Sequence, residues 1–530
     1  MQLLNIENVS VRYPGQSEAA LKTVDLKVHE GEVVALVGES GSGKSTLTKA
    51  ILQLLPPGST TTGRIELADT DILGLTNAQL RAIRGEELGL VPQDPGGSLN
   101  PVKTIGSQLS EVFRLHRTPQ LTRAQRRARC IELLEAVGVD RPEQRLKQYP
   151  HELSGGLKQR VLIAIAFALQ PRLLIADEPT SALDVTVQKR VLEVFNRLRR
   201  EYDTTVLFVT HDIALAADYA DRIAVMSDGQ LLEVNSVDAI LTQPQHDYTA
   251  ALVRQAVAQH HSGPAREERE DDVLAAVQVV GLSKTFGSAG EKRTAVDNVS
   301  FTVAPGATFA IVGESGSGKS TTARLLMRVT EQDTGQIFVA GQDVSALQGT
   351  EKRTLWKSLQ MVYQNPDSAL NPRQTITEII AEPLINFQVI GRSHIKSRVA
   401  ELLEQVRLPA EVATWRPAEL SGGQRQRVAI ARALASGAET LVLDEALSAL
   451  DVLTQETILE LLDDLQRTRG LTYIFISHDL HVVERIADHV AVMSQGRIVE
   501  TGTAEEIFNN PQHPYTMQLL EARPGEVLLA

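Results

Sequence analysis

One nonapeptide occurs twice in this chain, and it restricts the fold more than any other feature. Gly38-Glu39-Ser40-Gly41-Ser42-Gly43-Lys44-Ser45-Thr46 recurs as Gly313-Glu314-Ser315-Gly316-Ser317-Gly318-Lys319-Ser320-Thr321. Each copy fits the P-loop pattern G-x-x-x-x-G-K-[ST]. Each follows an unbroken apolar run, Val33-Val34-Ala35-Leu36-Val37 or Phe309-Ala310-Ile311-Val312, that reads as a buried strand. Residues 47–52 then read as a helix. Glycines let the backbone turn tightly around a polyphosphate, with successive N–H groups aimed at the anion. The lysine reaches the β- and γ-phosphates, and the hydroxyl of Ser45 or Ser320 can bind Mg²⁺. The helix that starts here adds its positive end.

The repetition extends beyond the loops. Gln93 pairs with Gln364, Ser154 with Ser421, Asp177 with Asp444, and His211 with His478, in the same order. The 530-residue chain is therefore a tandem duplication of a ~250-residue unit, not a short-period solenoid. We place the first domain at 1–255, an acidic linker at 256–272 and the second domain at 273–530. The linker is polar and charged and lacks periodicity, so it reads as flexible. Its adjacent His260 and His261 lack the further ligands of a metal site.

Within the first unit, Leu4-Asn5-Ile6-Glu7-Asn8-Val9-Ser10-Val11 alternates like a strand with one exposed face. Residues 94–160 read mainly as helix and loop. Residues 122–137 have helical spacing with a basic face (Arg123, Arg126, Arg127, Arg129), which reads as a solvated surface. Residues 173–176 and 206–209 read as buried strands flanking a helix, the alternation of a parallel α/β sheet.

Composition closes off several classes. Hydrophobic residues make up 42% and aromatics only 4%, which suits cores of Leu, Val, Ile and Ala. A formal net charge of -13 argues against a nucleic-acid binder but leaves room for a local basic patch. The single cysteine, Cys130, rules out an internal disulfide and a Cys-rich metal site, and reads as a packed helix residue. The first residues lack the charged and apolar regions of a signal peptide. No run of ~18 apolar residues occurs. The expectation is a cytosolic protein.

Two further motifs carry chemistry. Leu173-Leu174-Ile175-Ala176 ends in Asp177-Glu178, and Leu441-Val442-Leu443 ends in Asp444-Glu445. Carboxylates at the end of a buried strand are costly unless they have a role. Mg²⁺ binding by Asp177 and Asp444, as at a Walker B site, supplies one. Glu178 and Glu445 can orient or deprotonate an attacking water. The plainer reading, carboxylates capping the next helix, fits either pair alone but not both beside two P-loops. Ser154-Gly155-Gly156 and Ser421-Gly422-Gly423 each open a helix, where a hydroxyl, bare amides and the helix dipole make an oxyanion cradle; alone, either could be a simple N-cap.

P-loop, S-G-G signature, Walker B and a later histidine, in this order and twice over, resemble the ATP-binding cassette (ABC) ATPases. The resemblance implies two tandem α/β P-loop NTPase domains, each with a mainly parallel core sheet, an antiparallel β subdomain and a helical subdomain. It implies ATP and Mg²⁺ as cofactors. It matches Tyr13 and Phe286 to the aromatic residue that stacks on adenine. Gln93 and Gln364 match the Gln-loop residue that touches Mg²⁺ or water and senses a membrane partner. Asp184 and Asp451 match the D-loop, and His211 and His478 the switch histidine at the γ-phosphate. The family mechanism implies head-to-tail closure, with Lys44 facing Ser421-Gly422-Gly423 and Lys319 facing Ser154-Gly155-Gly156. Three positions depart from the family pattern: Leu157 for Gln, Ala446-Leu447 for Pro-Thr, and Phe286 for Tyr.

Within that family a transporter subunit competes with a soluble tandem ATPase acting on ribosomes and with a DNA-repair or chromosome ATPase. The linker is too short and acidic for the ribosomal class, and no coiled coil or zinc motif marks the DNA class. The stretches 91–101 and 362–372, and the tails His246-Asp247-Tyr248 and His513-Pro514-Tyr515, look like those of dipeptide, oligopeptide and nickel importers. The fused arrangement resembles the ATPases of microcin C and peptide import, with the glutathione importer a close rival. Such a chain would work peripherally on the cytoplasmic side of the bacterial inner membrane. Its partners would be two membrane-spanning permease subunits and a separate substrate-binding protein. No nucleic acid and no direct contact with the transported molecule are expected.

Overall fold

The computed structural model describes residues 1–116, 121–180, 183–259, 274–287, 292–448 and 450–525. They fall into two compact units, one from Met1–Ala258 together with Pro524 and Gly525, and one from Gln259–Arg523. Most of the expected linker, with His260 and His261, lies outside the described residues, as do Ser181, Ala182 and Ala449 beside the D-loop aspartates.

The first unit contains β1 (Gln2–Arg12), β2 (Leu21–His29), β3 (Val33–Val37), β4 (Thr60–Leu67) and β5 (Thr70–Asp71). It continues with β6 (Leu88–Val91), β7 (Leu173–Asp177), β8 (Thr205–Thr210), β9 (Arg222–Ser227) and β10 (Gln230–Ser236). One sheet is antiparallel, in the order β2-β1-β4-β5. The other runs β10-β9-β3-β8-β7-β6 and is parallel except at the β9–β10 edge. The apolar runs follow from this placement. Every residue of β3 and β8 is buried, as expected of central parallel strands covered on both faces. In contrast, β2 alternates buried and exposed residues. Asn8 takes φ 51° at a bulge in β1 that shifts the register between Ile6 and Val9. The expected strand over 4–11 is therefore one strand with a kink.

The second unit repeats the plan with β11 (Val277–Phe286), β12 (Arg293–Val303), β13 (Thr308–Val312), β14 (Thr334–Val339) and β15 (Gln342–Asp343). Then come β16 (Leu359–Val362), β17 (Thr440–Asp444), β18 (Thr472–Ile476), β19 (His489–Ser494) and β20 (Arg497–Thr503). Its sheets run β12-β11-β14-β15 and β16-β17-β18-β13-β19-β20.

The helix Lys44–Ile51 lies between the two sheets of its unit. Its Leu47, Ala50 and Ile51 share one buried cluster with Leu4, Val24 and Ile65 from one sheet and Leu36, Ile175 and Val209 from the other. Truncating a leucine such as Leu47 to Ala would cost about 2–5 kcal/mol, so packing holds the loop ahead of this helix in place. The described residues of 94–160 are helix and loop as expected, with Arg123–Ala136 one of the helices. Thr122 caps that helix in a box with Gln125, and on its basic face Arg129 pairs with Glu132 at 3.0 Å. Cys130 is buried, and burial pushes its thiol up to about 11, the behaviour of an inert packed residue. No helix among the described residues is long and apolar enough to cross a membrane.

Candidate active site

Each P-loop is bent by its own glycines. Gly43 precedes Lys44–Ile51 with φ 105°, and Gly318 precedes Lys319–Leu326 with φ 111°. In this left-handed region a side chain is strained, and a Cβ on Gly43 would also meet Leu21 Cδ2 at 2.9 Å. Gly38 is needed for space: a Cβ there would run into the Met226 carbonyl, as one on Gly313 would into that of Met493. The lysines are buried. Lys44 Nζ donates to Gly38 O at 2.6 Å and Glu39 O at 2.8 Å. Lys319 Nζ donates to Gly313 O at 2.7 Å and Glu314 O at 2.9 Å. Ser42 Oγ and Ser317 Oγ, one in each loop, are buried without a hydrogen-bond partner. An unpaired buried hydroxyl costs about 1–3 kcal/mol, and a phosphate oxygen is a partner that would satisfy it.

The carboxylates stand at the ends of β7 and β17. Burial pushes the Asp177 carboxyl up, and the charge of Glu178 adds to that. Burial likewise raises Asp444, and Ser320 Oγ donates to its Oδ1 at 3.1 Å. Two of the expected Mg²⁺ ligands are thus side by side. Hard oxygen donors, few in number, suit Mg²⁺, which is usually held by one or two carboxylates plus substrate phosphates. Among the described residues no group of three His, Cys, Asp or Glu could hold a metal by itself.

Glu178 and Glu445 leave their strands with φ 44° and 48°. A non-glycine residue pays about 1–3 kcal/mol for such a conformation, and such positions cluster at functional sites. The neighbouring strand holds each backbone: Glu178 N donates to Val209 O at 2.9 Å, and Glu445 N to Ile476 O at 2.8 Å. Both carboxylate oxygens of each are engaged. Gln93 Nε2 donates to Glu178 Oε2 at 2.7 Å, and His211 Nδ1 lies 3.3 Å from Oε1. Gln364 Nε2 donates to Glu445 Oε2 at 2.7 Å, and His478 Nδ1 lies 3.4 Å from Oε1. Burial pushes both glutamates up. The histidine, the P-loop lysine and the glutamine outweigh it and hold each carboxyl below its ordinary range. Burial pulls His211 and His478 down, but the facing glutamate wins and raises both. Each pair thus favours the charged form of both partners, and each glutamate is in the proton-accepting form near neutral pH.

The remaining candidates occupy other elements. Tyr13 follows β1 and its hydroxyl is 3.1 Å from Thr46 Oγ1. Phe286 closes β11, cannot make that bond, and instead has Lys284 Nζ 5.7 Å from its ring centre. Ser154 caps the helix Gly155–Phe167, and Ser421 caps Gly422–Ala435. Leu157 has a local consequence. In the second unit Gln424 completes a capping box, its Oε1 accepting from Ser421 N at 2.9 Å. Leu157, in the matching position, has no such group to offer. Gly156 and Gly423 pack so closely on Val187 and Thr454 that neither admits a Cβ. Asp184 caps Val185–Glu201 and Asp451 caps Val452–Arg469.

Two residues near the P-loops escaped the sequence reading. Tyr248 Oη accepts from Glu39 N at 3.2 Å, and Tyr515 Oη from Glu314 N at 3.0 Å. The available signal was their recurrence at matching places in the two tails.

Comparison with known proteins agrees with this geometry. The ABC transporter family matches residues 21–181 and 296–448. The oligopeptide/dipeptide transporter C-terminal region matches residues 499–526. The chain is 41% identical to the glutathione import ATP-binding protein GsiA of Salmonella choleraesuis, over 98% of this chain and 88% of that relative. It is 42% identical to the peptidoglycan transport ATP-binding protein YejF of Agrobacterium fabrum, over 98% and 96%. A solved ATP-binding cassette dimer bound to ADP and Pi is 28% identical over 43% of this chain and 98% of that one, with a TM-score of 0.40. With two P-loop units matched separately by one family, and relatives alike over nearly their whole length, this chain belongs to the ABC transporter ATPases, enzymes that bind ATP and hydrolyse it to ADP and phosphate.

Proposed function

We propose that this chain is the ATP-hydrolysing subunit of a bacterial importer for peptides or peptide-like molecules. It acts peripherally on the cytoplasmic side of the inner membrane, with two permease subunits and a separate substrate-binding protein. The observation that carries the reading is the oligopeptide/dipeptide transporter C-terminal match over 499–526. The relative named for peptidoglycan transport favours cell-wall peptides within this class, and the microcin C type rests on the sequence resemblance alone. The relative named for glutathione import favours a second reading, a glutathione importer.

The chemistry follows from the residues. The P-loop amides and Lys44 or Lys319 hold the β- and γ-phosphates. Glu178 or Glu445 takes a proton from water as the water oxygen bonds to the γ-phosphorus and the bond to the ADP oxygen breaks. Gln93 with His211, and Gln364 with His478, fix the two carboxylate oxygens, so the base is oriented before water arrives. Ser45 with Asp177, and Ser320 with Asp444, are the residues that would hold Mg²⁺; when bound it neutralises phosphate charge. Tyr13 and Phe286 stack on adenine, and the S-G-G amides supply donors to a γ-phosphate.

Copurification with permease subunits, then ATPase assays with candidate cargo, tests the proposal. Deletion should abolish uptake of short peptides and leave translation normal. Loss of glutathione uptake alone would select the second reading. Tight, salt-sensitive binding to ribosomes or DNA, with uptake unchanged, would overturn both.

A further inference from the structure

The tail of each unit folds back onto its own P-loop through the same set of contacts. Glu233 of β10 accepts from Gln245 N at 3.1 Å and His246 N at 3.2 Å. Glu500 of β20 accepts from Gln512 N at 2.7 Å and His513 N at 3.1 Å. The histidine then caps the next turn: His246 Nδ1 accepts from Tyr248 N, and His513 Nδ1 from Tyr515 N, both at 3.1 Å. This delivers each half-buried tyrosine to the first peptide of the P-loop.

That peptide is shared with the lysine. The N–H of the Gly38–Glu39 peptide donates to Tyr248 Oη at 3.2 Å, while its carbonyl, Gly38 O, accepts from Lys44 Nζ at 2.6 Å. The Gly313–Glu314 peptide repeats the pattern, with Tyr515 Oη at 3.0 Å on one side and Lys319 Nζ at 2.7 Å on the other. A peptide unit is planar. Fixing its N–H fixes the direction of its carbonyl, and polarisation through the plane strengthens the bond at the far end. The residue between histidine and tyrosine differs, Asp247 against Pro514, yet the hydroxyl reaches the same amide in both units.

We propose that Tyr248 and Tyr515 are positioning residues for the phosphate-binding lysines, acting through this one peptide plane. Each C-terminal tail is thereby a working part of its ATP site. The inference rests on the reading that the P-loops hold ATP.

The test uses the full chain, with ATP and AMP competing against a fluorescent nucleotide. Tyr248→Phe with Tyr515→Phe keeps both rings and removes only the hydroxyls. ATP affinity should fall about threefold to tenfold, the usual worth of one hydrogen bond. AMP lacks the β- and γ-phosphates that the lysines reach, so its competition should be unchanged. In a Lys44→Ala, Lys319→Ala background the tyrosine changes should add nothing further, because the coupled partner is gone. Unchanged ATP affinity in the tyrosine variant would overturn the inference. So would equal weakening of ATP and AMP with a lowered unfolding midpoint, which would make the tyrosines tail anchors only. If the lysine variant itself binds ATP normally, the reading of the P-loops fails. If it loses ATP while the tyrosine variant does not, only the inference fails.

Discussion

Replacing Glu445 by Gln separates the chemistry of the second site from its architecture. The change is isosteric, and the new side chain keeps an oxygen for Gln364 Nε2, now 2.7 Å from Glu445 Oε2. The backbone tolerates it too: Gln53, Gln170, Gln388 and Gln495 hold φ of 54°, 55°, 52° and 47° in this chain, beside 48° at Glu445. What disappears is the proton acceptor. Loss of a general base lowers the rate about 10²–10⁴-fold, or about 2.7–5.4 kcal/mol of barrier. The charge-assisted contact with His478, worth about 1.5–3 kcal/mol, also goes. On the proposed roles, that second loss loosens the site without adding to the barrier, since Lys319 and the loop amides would still hold the phosphates. ATP affinity should therefore stay within about twofold while hydrolysis collapses. The Ala446-Leu447 departure does not weaken this expectation. Ser448 Oγ donates to Glu445 O at 2.9 Å, and Gln455 Nε2 to Leu447 O at 3.1 Å. The turn after the base is thus fixed without a proline. The assay is phosphate release under single-turnover and steady-state conditions for Glu178→Gln, Glu445→Gln and the double variant. If closure of the two cassettes couples the sites, as the family resemblance implies, each single change should lower steady-state turnover at least tenfold. A steady-state rate near half would refute the coupling. Full ATPase activity and transport in Glu445→Gln would refute the base assignment and leave the second site a nucleotide clamp.

Three further outcomes are expected, the first from the two complete motif sets in one chain and the others from the geometry of each unit. The Glu178→Gln, Glu445→Gln double variant should bind about two ATP per chain and stay monomeric by light scattering; a trapped species of two chains would contradict this. Leu157→Gln should complete the missing capping box and raise amide exchange protection at the head of Gly155–Phe167 about two- to fivefold, whereas Gln424→Leu should do the reverse in the second unit. The Glu178–His211 and Glu445–His478 pairs set a pH dependence with two signs. Stability from His211 and His478 is complete below the ordinary 6.5 and is lost as pH rises through their raised folded values. That from Glu178 and Glu445 is complete above the ordinary 4.5 and is lost as pH falls through their lowered folded values. Denaturant titrations between about pH 6 and 9 should show an alkaline decline that His211→Gln with His478→Gln reduces; an unchanged decline would dissociate the pairs from stability.

The sequence by itself determined the two P-loops, the strands that feed them, the acidic strand ends and the packed state of Cys130. Each of these is written in residues adjacent in the chain: glycines where the backbone must turn, apolar runs where a strand is covered on both faces, helical spacing around a buried thiol. The family order of motifs assigned Gln93 to Mg²⁺ or water and His211 to the γ-phosphate, without placing either on Glu178. The tertiary structure alone decided that. Gln93 and Glu178 are 85 residues apart and His211 and Glu178 are 33 apart, and they meet because β7 lies between β6 and β8 in the sheet. The same holds for the 209 residues between Glu39 and Tyr248. Local periodicity fixes which face of a strand is buried, but not which strands become neighbours. Neighbour order comes from the crossovers and the packing of whole helices between sheets, and it is this order that turns scattered polar residues into a site.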